Sequence, residues 1–142
     1  MISDAEDKGV EIIVFPELCI TGYTCQDLFR SDVLLSKSEE ALISLLSSTR
    51  KMDIISIVGM PVAVDGMLLN CAVVLHKGCI IGIVPKTYLP NYSEFYEKRW
   101  FASAQDLSDE RQLYIAGSPA VVSSQPKVFT TIDGVKFGIE IC

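Results

Sequence analysis

Three residues of this chain pair reactive chemistry with the same local setting. Glu17 follows the apolar run Ile12-Ile13-Val14-Phe15-Pro16. Lys86 follows Ile80-Ile81-Gly82-Ile83-Val84-Pro85, and Cys142 follows Lys136-Phe137-Gly138-Ile139-Glu140-Ile141. Apolar runs of this length fit buried strands, and strand ends bring side chains to the rim of a sheet, where polar groups converge on ligands. A carboxylate, an ammonium and a thiol are the working parts of acyl transfer: a base, a cation for the developing oxyanion and a nucleophile. Together they point to cleavage of an amide.

Each residue also has a plainer explanation. Glu17 fits a solvated loop acid after a proline, and Lys86 a surface lysine at a strand end. Cys142 fits a small buried hydrophobe in a strand. Cys19 and Cys71 lie within apolar sequence and are expected in the core. Cys25 and Cys79 carry no signal, and His76, beside Lys77-Gly78, is expected at an exposed turn. The aromatic group Tyr88, Tyr92, Phe95, Tyr96, Trp100 and Phe101 is explained by packing as well as by binding.

The elements that must position these groups alternate between helix and strand. Residues 2–8 fit the tail of a helix stopped by Gly9, and 11–15 a strand. A long connection covers 16–30. Val33, Leu34, Leu35, Ala41, Leu42, Leu45 and Leu46, with charges between them, predict an amphipathic helix over 32 to about 50. A strand follows over 53–59. Asp65-Gly66 marks a hairpin joining 62–64 to 68–75, and Lys77-Gly78 turns into a strand at 79–84. Residues 87–126 suggest irregular structure with a helical turn near Glu94 to Lys98. A last hairpin is expected between 127–132 and 135–141 around Asp133-Gly134. The pattern predicts a layered α/β domain with a mixed sheet.

Composition narrows the class. The chain has 142 residues, 49% of them apolar, enough for one core. Its formal net charge of −6 argues against a nucleic-acid-binding surface. No apolar stretch approaches a membrane span, and the charged opening MISDAEDKGV is not that of a signal peptide. Five cysteines with no CxxC pair and a single histidine disfavour a structural zinc site and a disulfide framework, so no metal and a cytoplasmic setting are expected.

Longer stretches add a resemblance. Phe15-Pro16-Glu17-Leu18-Cys19-Ile20-Thr21-Gly22-Tyr23 resembles the first signature of the nitrilase, or carbon–nitrogen hydrolase, superfamily. Pro85-Lys86-Thr87-Tyr88-Leu89-Pro90 is similar to its second, and Gly138-Ile139-Glu140-Ile141-Cys142 to the start of its third. Within that superfamily, residues 21–29, 69–74 and 92–101 are similar to the amidase domain of the glutamine-dependent NAD synthetases.

The resemblance implies an α/β/β/α sandwich with mixed sheets, of which residues 1–142 form a part. It implies Glu17 as general base, Lys86 as oxyanion stabiliser and Cys142 as nucleophile. Glu94 is expected as a supporting glutamate, and Tyr23 and Tyr92 as contacts to a glutamine substrate. No cofactor is expected in this domain. ATP and magnesium belong to a synthetase domain that the sequence does not contain, to which ammonia would pass to amidate deamido-NAD; the whole enzyme is expected to be a homo-oligomer. Other nitrilase-type amidases, such as an ω-amidase or a carbamoylase, and a non-catalytic module are the alternatives. The family's oxyanion hole also uses the backbone N–H after the nucleophile. With Cys142 as the last residue, the chain is expected to be a fragment truncated at both ends, inactive alone and prone to aggregate through an uncovered apolar face.

Overall fold

The computed structural model describes residues 1–142. Its centre is a six-stranded mixed sheet formed by β1 (Ile12–Val14), β2 (Ile55–Val64), β3 (Met67–His76), β4 (Cys79–Pro85), β5 (Arg111–Ile115) and β6 (Ser118–Val122), in the order β1-β2-β3-β4-β6-β5. β1 runs parallel to β2, β2–β3–β4 form an antiparallel meander, and β4 meets β6 in parallel at Ile83 and Val122. A short hairpin, β7 (Val128–Thr130) with β8 (Lys136–Gly138), forms a second sheet. Two helices complete the fold: α1 (Ile2–Glu6) and α2 (Asp32–Ser48).

The alternation of β2 and β3 separates two cores. Val58, Met60, Val62 and Val64 of β2, with Leu69, Cys71, Val73 and Leu75 of β3, face Leu42 and Leu46 of α2. Those two leucines lie one turn apart on one helix face, as the helical period requires. Ile55, Ile57, Ala72 and Val74 point the other way, against Phe129, with Phe137, Ile139 and Ile141 partly buried beside them. The last hairpin therefore lies across the sheet face opposite α2. Gly82 permits this approach: a Cβ there would sit 2.6 Å from the Phe129 ring.

Several expectations shift in detail. The strands expected at 53–59 and 62–64 are one ten-residue strand, β2, which runs through Pro61. Ile55 N–H donates to Glu11, while Ile57 and Gly59 carbonyls accept from Phe15 and Ile20, so odd-numbered residues of β2 turn their backbone toward β1. Pro61 lies on that same side beyond the end of β1, where its missing N–H costs no ladder bond. The segment read as irregular holds the β5–β6 hairpin, closed by Ala116-Gly117 with both φ positive, the conformation also adopted by Asp65-Gly66. The closing strand is shorter than 135–141, because β8 ends at Gly138. His76 is half-buried at the end of β3 rather than exposed.

Candidate functional site

Lys86 stands just past β4, and its main chain is fixed on both sides. Its N–H donates to Asn70 O at 2.8 Å, and its carbonyl accepts from Ala104 N–H at 2.9 Å. The side chain is 1% exposed, and its ammonium donates to Glu17 Oε1 at 2.7 Å and to Glu97 Oε1 at 2.9 Å. A fully buried ammonium is tolerated only with such partners, because desolvation alone costs several kcal/mol per ion. Each of these two Oε1 atoms has a second donor. Asn70 Nδ2 donates to Glu17 Oε1, and the Tyr23 hydroxyl donates to Glu97 Oε1 at 2.5 Å. Burial first, and then the hydrogen bond to Glu97, push the Tyr23 phenol well above its usual range, so it remains a proton donor.

Glu17 reaches Lys86 because its loop lies directly on β2. A Cβ at Gly59 would fall 2.3 Å from Leu18 N and 2.9 Å from Pro16 O, so only glycine lets the loop settle there. Leu18, with φ of 52°, is fully buried with Phe29 and Phe101 and anchors the turn. Ile20 N–H then donates to Gly59 O, and Cys19 Sγ lies against the Gly59 backbone.

The opposite wall comes from residues 88–101. Glu97 opens a short 3-10 turn, its N–H donating to Pro90 O and its carbonyl accepting from Trp100 and Phe101. On the outer side, Arg99 forms a two-point pair with Asp27 at 2.7 and 3.0 Å, and Trp100 Nε1 donates to the same carboxylate at 2.9 Å. The Arg99 hydrogen bond, followed by that of Trp100, holds Asp27 well below the usual carboxylate range. Arg30 donates to Arg99 O at 2.6 Å, so the Tyr23 loop and the Glu97 turn are joined at their backs.

Between these walls lies an open cleft of about 870 Å3 lined by Glu17, Tyr23, Tyr92, Phe95, Glu97 and Cys142, among others. Glu17, Lys86 and Glu97 make direct contacts; Cys142 is exposed on the cleft and shares its lining with Glu17. Tyr23 and Tyr92 both face the cleft, Tyr92 packed edge-on against Phe95. Glu94 does not join them. It is exposed and outside the lining, and Glu97, three residues on, is the carboxylate that meets Lys86. The correction has a physical reason: the 3-10 turn directs Glu97 inward and leaves Glu94 on the preceding loop. Sequence reasoning also passed over Asn70 and Asp27. A polar residue inside the apolar run Met67–His76 was the available signal for Asn70, whereas nothing local marks Asp27. Cys71 is fully buried, and burial raises its thiol well above the ordinary range, as suits a core cysteine. No cluster of three or more His, Cys, Asp or Glu side chains is placed to hold a metal ion, and no helix is long and apolar enough to cross a membrane.

Comparison with known proteins places the chain in a family. The chain is 35% identical over its whole length to the glutamine-dependent NAD(+) synthetase of Mycobacterium bovis, of which it covers 21%. A crystal structure of a glutamine-dependent NAD(+) synthetase from Cytophaga hutchinsonii superposes on 99% of the chain with a TM-score of 0.86 at 30% identity, the match covering 23% of that protein. The corresponding enzyme of Acinetobacter baumannii, in complex with ADP, gives 0.78 at 30% identity, again over 99% of this chain and 23% of that one. The chain thus spans about a fifth of the length of the relatives it matches. Its fold is the mixed-sheet α/β arrangement of a nitrilase-type sandwich. The family model for carbon–nitrogen hydrolases matches residues 1–142, and the chain belongs to that family.

Proposed function

We propose that this chain carries the reacting groups of a glutamine amidohydrolase, the ammonia-releasing part of a glutamine-dependent NAD synthetase. Cys142 is the nucleophile, Glu17 the general base and Lys86 the oxyanion stabiliser. Glu17 lines the cleft with Cys142, and its Oε1 is already occupied by Lys86 and Asn70, which leaves Oε2 to take the thiol proton. The Cys142 sulfur bonds to the side-chain amide carbon of glutamine, and the charge that develops on oxygen is met by the Lys86 ammonium. Glu17 returns its proton to the departing nitrogen, the C–N bond breaks, and ammonia leaves a glutamyl thioester. Water then gives a proton to Glu17 as it attacks, the C–S bond breaks, and the thiolate recovers that proton as glutamate departs. Tyr23 and Tyr92 flank the bound glutamine. Glu97 holds the Lys86 ammonium and the Tyr23 hydroxyl in place. The ammonia is consumed in a synthetase unit that uses ATP and magnesium to amidate deamido-NAD, in an assembly of several copies.

The observation that carries this reading is the Lys86 ammonium, buried between Glu17 and Glu97 beside a cleft that Cys142 lines. The test is modification by a diazo-ketone analogue of glutamine, followed by peptide mapping. Adduct on Cys142, suppressed by excess glutamine, is expected. Cys79 is also exposed and serves as the internal control. Equal modification of Cys79 and Cys142, or no protection by glutamine, would overturn the assignment.

A further inference from the structure

We infer that Asn70 is the positioning residue for the general base: its amide fixes which oxygen of Glu17 can accept the proton. The inference rests on the base role proposed for Glu17. Asn70 is fully buried in β3, at the position paired with Pro61 of β2. Its Nδ2 donates to Glu17 Oε1, the oxygen that also accepts from Lys86. Its Oδ1 is buried with no partner at all.

That one-sided bonding separates a positioning role from a packing role. A buried asparagine kept to complete the backbone network would use both ends of its amide, whereas a leucine of similar size would fill the space without a stranded acceptor. Here the orphaned oxygen is tolerated while the donor points at the carboxylate. The residue also acts twice, because its backbone carbonyl accepts the Lys86 N–H at 2.8 Å. One position on a central strand therefore sets both the base and the cation. With two donors on Oε1, the carboxylate is favoured in one orientation, and Oε2 is the oxygen left without a donor in a residue that lines the cleft together with Cys142.

The experiment is a two-by-two comparison on the full chain: wild type, Asn70→Leu, Glu17→Gln and the double variant. The readout is the rate at which iodoacetamide alkylates Cys142 at neutral pH, followed by peptide mapping, with thermal melts in parallel. Asn70→Leu is expected to melt no lower than wild type. It should slow Cys142 roughly tenfold or more, the factor carried by a hydrogen bond to a charged group. In the Glu17→Gln background the same change should have no further effect. If Asn70→Leu leaves Cys142 unaffected while Glu17→Gln slows it, the inference on Asn70 falls and the base role stands. If Glu17→Gln has no effect on Cys142, the base role falls and takes this inference with it. Equal slowing by Asn70→Leu in both backgrounds would assign Asn70 a purely structural role.

Should Asn70→Leu fail to fold, Asn70→Asp keeps the volume and replaces the donor by an acceptor. That variant should slow Cys142 roughly tenfold or more at neutral pH, and should have no further effect in the Glu17→Gln background. Equal slowing in both backgrounds, or none in either, would overturn the inference.

Discussion

The two halves of the site are built in opposite ways. The charged floor of Glu17, Lys86 and Glu97 is over-determined: Lys86 is held through its N–H, its carbonyl and both of its carboxylate partners. The Cys142 segment leaves regular structure at Gly138 and is retained by Ile139 and Ile141, both only partly buried against the face that carries Phe129. The floor thus belongs to the sheet and its loops, whereas the thiol sits on an arm laid across that sheet. Substitutions should therefore separate sharply into those that disturb the fold and those that disturb only reactivity.

The largest effect is expected at the centre of the floor. Lys86→Met leaves two carboxylates facing each other without their shared cation, and breaking a buried pair in this way costs about 3–5 kcal/mol. Denaturant unfolding measures it, and a loss under 1 kcal/mol would mean the floor is far wetter than its burial indicates.

Next is the contact beneath Glu17. Gly59→Ala places a methyl group on the Leu18 backbone, and overpacking of this kind costs about 1–3 kcal/mol. Thermal melting reads the loss. The modification rate of Cys142 by the glutamine analogue should fall with it, because Glu17 shifts with its loop.

A smaller effect is expected from the Asp27 clamp, which is exposed. Because Arg99 and then Trp100 hold Asp27 below its ordinary range, its stabilising contribution is complete above an unfolded value of about 4 and is lost only as pH falls through the lower folded value. Trp100 is the single tryptophan of the chain and one of the donors. Its fluorescence should hold steady from pH 7 through about 4 and change only as pH falls on toward the lower folded value, while in Asp27→Asn it should be altered at every pH. An early shift above pH 5 in the wild type would show that the clamp is not closed in solution.

The smallest change in stability belongs to the thiol. Cys142 is exposed, so Cys142→Ala should alter stability by no more than about 0.5 kcal/mol while abolishing labelling by the glutamine analogue. A substantial loss would tie the arm to the fold and erase the contrast between the two halves.

How much of this was legible depends on the range of the interactions. Helix α2 and the β3–β4 meander follow local patterning, and the structure places them where the periodicity put them. Glu17 and Lys86 stood out because each closes an apolar run, and the fold brings them into contact. The β5–β6 hairpin was hidden because Ala116-Gly117 lacks the asparagine or aspartate that usually marks a turn with two positive φ angles. Glu94 was expected from the resemblance alone, and a resemblance along the chain says nothing about which way a 3-10 turn directs the side chain of Glu97. Asn70 and Asp27 act on residues more than 50 positions away, and no local pattern encodes such a partnership.

Pro61 has a consequence for how copies of this chain meet. β1 is three residues long, so most of β2 extends past it. A bare strand edge of that length would invite pairing with another molecule. Along it, however, the Gly59 carbonyl is already taken by Ile20, and Pro61 has no N–H to offer. Only Ala63 on that side keeps an intact donor and acceptor. One complete pair is too few to template a foreign strand, so the stretch beside the Glu17 loop carries its own barrier against fibril-like growth.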